Sequence, residues 1–360
     1  MNRVTTRISA APEPQGPLAG PGAAGRATTA PGHPGALASL VRRLALASLI
    51  ANIGIVLTGG AVRLTGSGLG CPTWPRCSED SWTATAEMGI HGAVEFGNRT
   101  LTGVLGVIAA GTLLATLLLR PRRWVLMWLA AGVLAGIAAQ ALIGAVVVWT
   151  DLDPGTVGVH FLVSMVLIAL AYTLWRRVDE PDGPAVASVP GPLRGLAWLV
   201  LGVTVALLAV GTLVTGSGPH AGDPDVARNG LDPQTISQAH ADLAFLLLGL
   251  AAAAWFALRA TPAPRAAVRA AAWLVAAILA QGVVGLVQYF TGLPELLVWL
   301  HLLGSCLTWV AALHLLHATR HRTPAGTPSP VADRPDAGPA GPIATGLESR
   351  EGARAGRVGA

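Results

Sequence analysis

The sequence predicts an all-α, polytopic membrane protein, with eight transmembrane helices arranged as two parallel-repeat four-helix bundles. Three observations lead there. Of the 360 residues, 52% are hydrophobic and only 12% charged, with a mean hydropathy of +0.56, against about 25% charged in soluble domains. Eight apolar runs have the length of roughly 17 to 25 residues that crosses a hydrocarbon core as a helix. The chain also repeats itself. So few charges could not clothe two soluble domains. All 24 basic residues are Arg and collect at helix ends and in tails rather than along a stripe, which excludes nucleic acid as a partner.

The spans fall near 40–62, 97–119, 124–148, 157–175, 193–214, 238–258, 268–290 and 294–317. They divide the chain into an N-terminal tail (1–39), an N-terminal half (40–180), a linker (181–192), a C-terminal half (193–317) and a C-terminal tail (318–360). The Pro- and Gly-rich stretches 10–35 and 323–360 have no apolar run able to build a core, so both tails are expected to be disordered. Arg3 and Arg7 are followed by Pro-rich sequence rather than a short apolar core, unlike a cleaved signal peptide.

Orientation follows from the arginines, which are retained on the cytoplasmic side. Twenty of the 24 lie in 1–43, 120–123, 176–194, 259–269 and 320–357. Both termini are therefore expected to be cytoplasmic. Only Arg63, Arg76, Arg99 and Arg228 lie in or beside the opposite loops, which hold Glu79, Asp80, Asp151, Asp153, Asp223, Asp225, Asp232 and Glu295 and are expected to face outward.

The repeat is read directly. Gln140-Ala-Leu-Ile-Gly144 answers Gln281-Gly-Val-Val-Gly285 at a shift of 141, which also pairs Thr150 with Thr291 and His160 with His301. Thr65-Gly-Ser-Gly68 answers Thr215-Gly-Ser-Gly218 at a shift of 150. Apolar helices match one another by composition alone, but Gln, Thr and His recurring in one register points to duplication. Four helices separate equivalents, so the halves are expected to share one orientation.

Polar groups inside spans need a reason, because a charged type costs at least about 2.5 to 3.5 kcal/mol at mid-bilayer. His160, His240 and His301 each lie early in an even-numbered span, at similar depth, and Asn98 holds the corresponding place in the second. Neutral imidazole is an axial ligand of haem iron, and facing helices can offer one to each porphyrin face. His240 and His301 form such a pair in the C-terminal half, with haem iron as their metal. The bland alternative is a His satisfied by a neighbouring hydroxyl or carbonyl.

In the second span His91, Glu95 and Asn98 stack on one helical face, expected to point at the site containing His160. An ion pair of Glu95 with Arg99 at the interface is the simpler alternative. Cys71 and Cys77 flank a short outer loop, where a disulfide is favoured over free thiols or metal binding. Cys306 reads as packing, His314, His317 and His321 as an interfacial cluster, and His220 has no partner that sequence supplies.

Thr58-Gly-Gly-Ala-Val-Arg63-Leu-Thr-Gly-Ser-Gly-Leu-Gly-Cys71-Pro-Thr-Trp-Pro-Arg-Cys77, followed by Glu95-Phe-Gly-Asn98-Arg99, resembles the haem A synthase family over about residues 40–317. The resemblance implies an oxidoreductase that turns the C8 methyl of haem O into the formyl of haem A, by two hydroxylations and loss of water from the gem-diol. It implies haem b as cofactor on His240 and His301, substrate haem beside His160, Glu95 as the catalytic carboxylate, and Cys71–Cys77 as a disulfide. Asn98 departs from the pattern, since many members carry His there; Asn is a poor iron ligand. Ligation of the substrate iron by His160 alone, or with His91 substituting, follows. Arg63 and Arg99 are candidates for haem propionates, equally with interfacial anchoring. Expected partners are haem O, a haem O synthase, an electron acceptor that sequence does not name, lipid and a second copy of the chain. The alternative is a di-haem b-type membrane cytochrome passing electrons between quinol and a partner; a transporter would keep the spans without haem.

Overall fold

The computed structural model describes residues 35–219, 226–324 and 326. The predicted tails, apart from their innermost residues, and His220 lie outside them. Eight helices result: α1 (Ala36–Leu64), α2 (Gly89–Leu118), α3 (Trp124–Trp149), α4 (Pro154–Val178), α5 (Gly191–Ser217), α6 (Pro233–Arg259), α7 (Arg265–Phe290) and α8 (Glu295–Ala318). All eight are long and apolar enough to cross a membrane, and the chain is a multi-pass membrane protein. Large side chains such as Val107, Phe245, Trp273 and Phe290 stand at least 70% exposed, as lipid-facing positions require.

Helix ends follow local chemistry. Asp153 and Asp232 cap α4 and α6 by accepting from Thr156 N and Thr235 N, each with Pro in the first turn, where a missing N–H costs nothing. The α2 helix begins eight residues before the predicted span, after a 3-10 turn at Ala86–Met88, so His91 and Glu95 are helical. Between α4 and α5, β1 (Ala185–Ala187) pairs antiparallel with β2 (Arg320–Arg322), beyond α8.

Within residues 36–324, α1 packs on α2, α2 on α3, α3 on α4 and α4 back on α1; α5 to α8 close the same ring. The two rings share a seam where α8 meets α1 and α4, and α4 meets α5. Hydrogen bonds cross it: Trp299 Nε1 donates to the Leu57 carbonyl at 2.9 Å and Trp309 Nε1 to the Met165 carbonyl at 2.8 Å. The turns after α3 and α7 share one conformation. Asp151 and Leu152 take φ of 51° and 61°, and Gly292 and Leu293 take 78° and 59°. Leu152 N then reaches back to Val147 O, and Leu293 N to Gln288 O, the six-to-one bond that closes orphan carbonyls at a helix end.

His317 was expected in an interfacial cluster, but it is 6% exposed and packs edge-on to Tyr172 at 5.4 Å. Two neighbours pressed together by α4 and α8 bury it. His321 does sit outside, on β2, bonded to Ser188.

Candidate functional site

The imidazoles of His240 and His301 face each other across the second ring. Their helices, α6 and α8, stand diagonally, yet the ring centroids are 6.3 Å apart at an interplanar angle of 59°. The neighbouring helices make the room. A Cβ added at Gly211 of α5 would stand 3.1 Å from His240 Cε1, and one at Gly285 of α7 would stand 3.1 Å from His301 Cε1. Gln281 Nε2 donates to the His301 carbonyl at 2.7 Å, tying α7 to α8 at this level. Nδ1 of both rings is buried without a hydrogen bond, although the Leu207 carbonyl lies within electrostatic reach of His240.

Two imidazoles on one metal, each bonded at about 2 Å, put their ring centres about 6 Å apart, which is the observed separation. Among the described residues no three His, Cys, Asp or Glu side chains gather as a metal site. A donor set of two neutral nitrogens suits a metal that brings its own equatorial ligands, as a porphyrin iron does, so these residues fit haem.

The first ring repeats half of this. Gln140 Nε2 donates to the His160 carbonyl at 2.9 Å and to Ser164 Oγ, and Gly144 leaves space beside His160 Cε1. His160 Nδ1 is likewise buried and unbonded. Across the ring stands Asn98, whose Oδ1 accepts from Thr58 Oγ1 at 2.7 Å. The shift of 150 sets Ala61 where the second ring has Gly211.

The side chains of His91 and Glu95, on the face of α2 that also carries Asn98, bond into the loop between α1 and α2. His91 Nδ1 is 2.9 Å from Ser67 Oγ. Glu95, 5% exposed, accepts from Cys71 N at Oε2 (2.6 Å) and from Arg99 at Oε1. The ion pair that sequence offered as the simpler alternative is present. Cys71 and Cys77 form a disulfide, and a Cβ at position 70 would run into the His91 backbone, so only Gly lets the loop lie this close.

Arg99 commits five donors: Nε and Nη2 to Glu95, Nη2 also to Cys71 O, Nη1 to Thr73 O and Arg76 O. A guanidinium has five N–H groups, so none is left for a propionate in this arrangement. Arg63 is different. Its Nη2 crosses the seam to Thr215 O at 3.0 Å, while Nε is buried and unpartnered. Sequence did not single out Ser67, Thr58 or Gly211 as site residues. The duplicated Thr-Gly-Ser-Gly and the glycine opposite each His are the signals that held them.

A family profile described as COX15-CtaA, cytochrome oxidase assembly protein, matches residues 42–313. The chain belongs to this family. The match spans all eight helices and both rings. Proteins named heme A synthase are similar along most of the COX15-CtaA region. That of Bradyrhizobium sp. (strain ORS 278) is 29% identical over 324 residues, covering 71% of this chain and 84% of the relative. That of Bradyrhizobium sp. (strain BTAi1) is 29% identical with the same coverage, and that of Methylobacterium sp. (strain 4-46) is 29% identical over 71% of this chain and 85% of its own length.

Proposed function

We propose that this chain is a haem A synthase, an oxidoreductase that converts the C8 methyl of haem O to the formyl of haem A in a bacterial cell membrane, with both termini cytoplasmic. The observation that carries the reading is the His240–His301 pair, 6.3 Å apart within a COX15-CtaA chain. The two halves are parallel repeats: the C-terminal one holds haem b, and the N-terminal one receives haem O, handed over by a haem O synthase. Bound there, the haem iron supplies one-electron chemistry.

The residues have separate tasks. His240 and His301 hold and orient the cofactor, and Gly211 and Gly285 keep their rings in place. His160 holds the substrate iron from one side; Asn98, tied by Thr58 through its oxygen, offers its amide hydrogens to the other. Glu95 is the base. A proton released as the methyl carbon is oxidised, or as the diol collapses, is accepted at Oε2, which has a lone pair beyond the one bonded to Cys71 N. Arg99 and the disulfide loop hold that carboxylate still and shield it from water. Arg63, with a donor to spare, serves a propionate.

The test is haem extraction from cells supplied with haem O. Wild type should yield haem A and keep a low-spin haem b spectrum. Glu95→Gln should keep that spectrum and form no formyl product, while His240→Ala or His301→Ala should lose it. A wild type that binds haem b yet yields no haem A would point to the electron-carrying cytochrome and end this reading.

A further inference from the structure

The inner ends of α4 and α8 bring together more positive charge than the ring chemistry uses. Arg176 and Arg177 end α4; His314 and His317 lie on the last turns of α8; Arg320 and Arg322 sit on β2, with Arg123 nearby. Two carboxylates, Glu180 and Asp182, answer these five arginines. Arg177, 2% exposed, pairs with Glu180 at 3.0 Å, and its Nη2 stands 3.5 Å from Asp182 without a hydrogen bond. Arg123 takes Asp182 at 2.8 Å and Arg322 approaches Glu180 at 3.5 Å. The acids are then used up. Among the described residues the side chains of Arg176 and Arg320 have no ion pair or hydrogen bond, and both lie within electrostatic reach of buried His317.

Unpartnered donors converge here. Arg176 Nε, Arg177 Nε and Nη2, Arg320 Nε and Arg322 Nε are all buried without a hydrogen bond, as is the ring nitrogen Nδ1 of His317, although Arg177 Nη2 and Arg322 Nε each have a carboxylate oxygen at 3.5 Å. Burial first, then repulsion from Arg177 and Arg320, holds Arg322 below the usual arginine range despite Glu180 and Asp182. Buried donors left unbonded cost free energy, and an arrangement of arginines short of acceptors is what a multiply charged oxyanion completes.

We propose that this arginine cluster, at the inner ends of α4 and α8 beside the β1–β2 ladder, binds a phosphate group through Arg176, Arg177, Arg320 and Arg322. The group belongs either to an anionic phospholipid headgroup at the membrane surface or to free phosphate; the recognition chemistry is the same. The site is separate from the histidine pairs, and it links the halves, since α4 comes from one and α8 from the other.

The test is native mass spectrometry of the full chain released from detergent with phosphatidylglycerol, phosphatidylcholine or inorganic phosphate. Wild type should retain phosphatidylglycerol over phosphatidylcholine by about tenfold or more, and the double variant Arg176→Gln/Arg320→Gln should lose that preference. Arg194→Gln, an exposed arginine outside the cluster, should keep it. Displacement of the lipid by inorganic phosphate, or phosphate retained alone, would assign the site to the free anion; a lipid that phosphate does not displace would assign it to the headgroup. Equal retention of both lipids with no bound phosphate overturns the proposal, as does a double variant that binds like wild type. Should the double variant not fold, Arg176→Lys/Arg320→Lys keeps the charge but not the fork, and the wild-type competition still decides.

Discussion

Arg99 and Glu95 are one helical turn apart on α2, and the guanidinium that grips the carboxylate also holds the carbonyls of Cys71, Thr73 and Arg76. One side chain thus fastens the disulfide loop and the buried acid together. Removing it leaves a carboxylate nearly out of water without its counter-charge, which costs about 3 kcal/mol or more. Arg99→Gln should therefore lower thermal stability, measured as the melting temperature in detergent, more than Glu95→Gln does, because Gln at 95 still accepts from Cys71 N. Equal melting temperatures would remove Arg99 from this role.

Space beside the imidazoles is a second quantity open to test. At Gly285 a Cβ would already stand 3.1 Å from His301 Cε1, so Gly285→Val should push the ring away and reduce bound haem b at least about tenfold, since a shifted ligand forfeits its bond. Gly202→Val on α5, where a Cβ meets nothing within 4 Å, should leave the haem content unchanged. Pyridine haemochrome analysis reads both.

Asn98 and Ala61 stand where the second ring has His240 and Gly211. Asn98→His alone should give little new low-spin haem signal, because Ala61 lacks the clearance that glycine provides. Adding Ala61→Gly should restore it. Electron paramagnetic resonance of the substrate-loaded protein counts the low-spin centres, and a full signal from the single variant would show that clearance at 61 is irrelevant.

Asp182 lies outside the spans, and its hydrogen bond from Arg123, helped by Arg177 and Arg322, holds its carboxyl below the ordinary range against the opposing effect of burial. A lowered folded-state value means the stabilisation is complete above about pH 4, the unfolded range, and is lost as pH falls through the lower folded value. Hydrogen exchange at Gly183, whose N–H bonds to Thr323 O at 3.0 Å, should accelerate in that acid window. Asp182→Asn should exchange faster at neutral pH and lose the acid step.

Much of this architecture is written in order and spacing. Eight apolar runs of span length, the two shifts of 141 and 150, and three histidines at one depth are properties of a linear chain, because bilayer thickness converts residue counts into position along the membrane normal. The pairing of His240 with His301 was legible for the same reason. The start of α2 was less so: it lies two turns ahead of the apolar run, where the loop carrying Gly70 packs against the His91 backbone.

What sequence could not fix is rotation about each helix axis and choice of neighbour. The spacing of Glu95 does not say what it bonds, and the close approach of residue 70 to 91 brings Cys71 N within its reach. Arg63 meets Thr215, Trp299 meets Leu57, and Arg177 is buried among the inner arginines through contacts between distant segments. Run lengths set depth along the membrane normal, but lateral packing sets which side chains meet, and that packing exists only once both rings have closed.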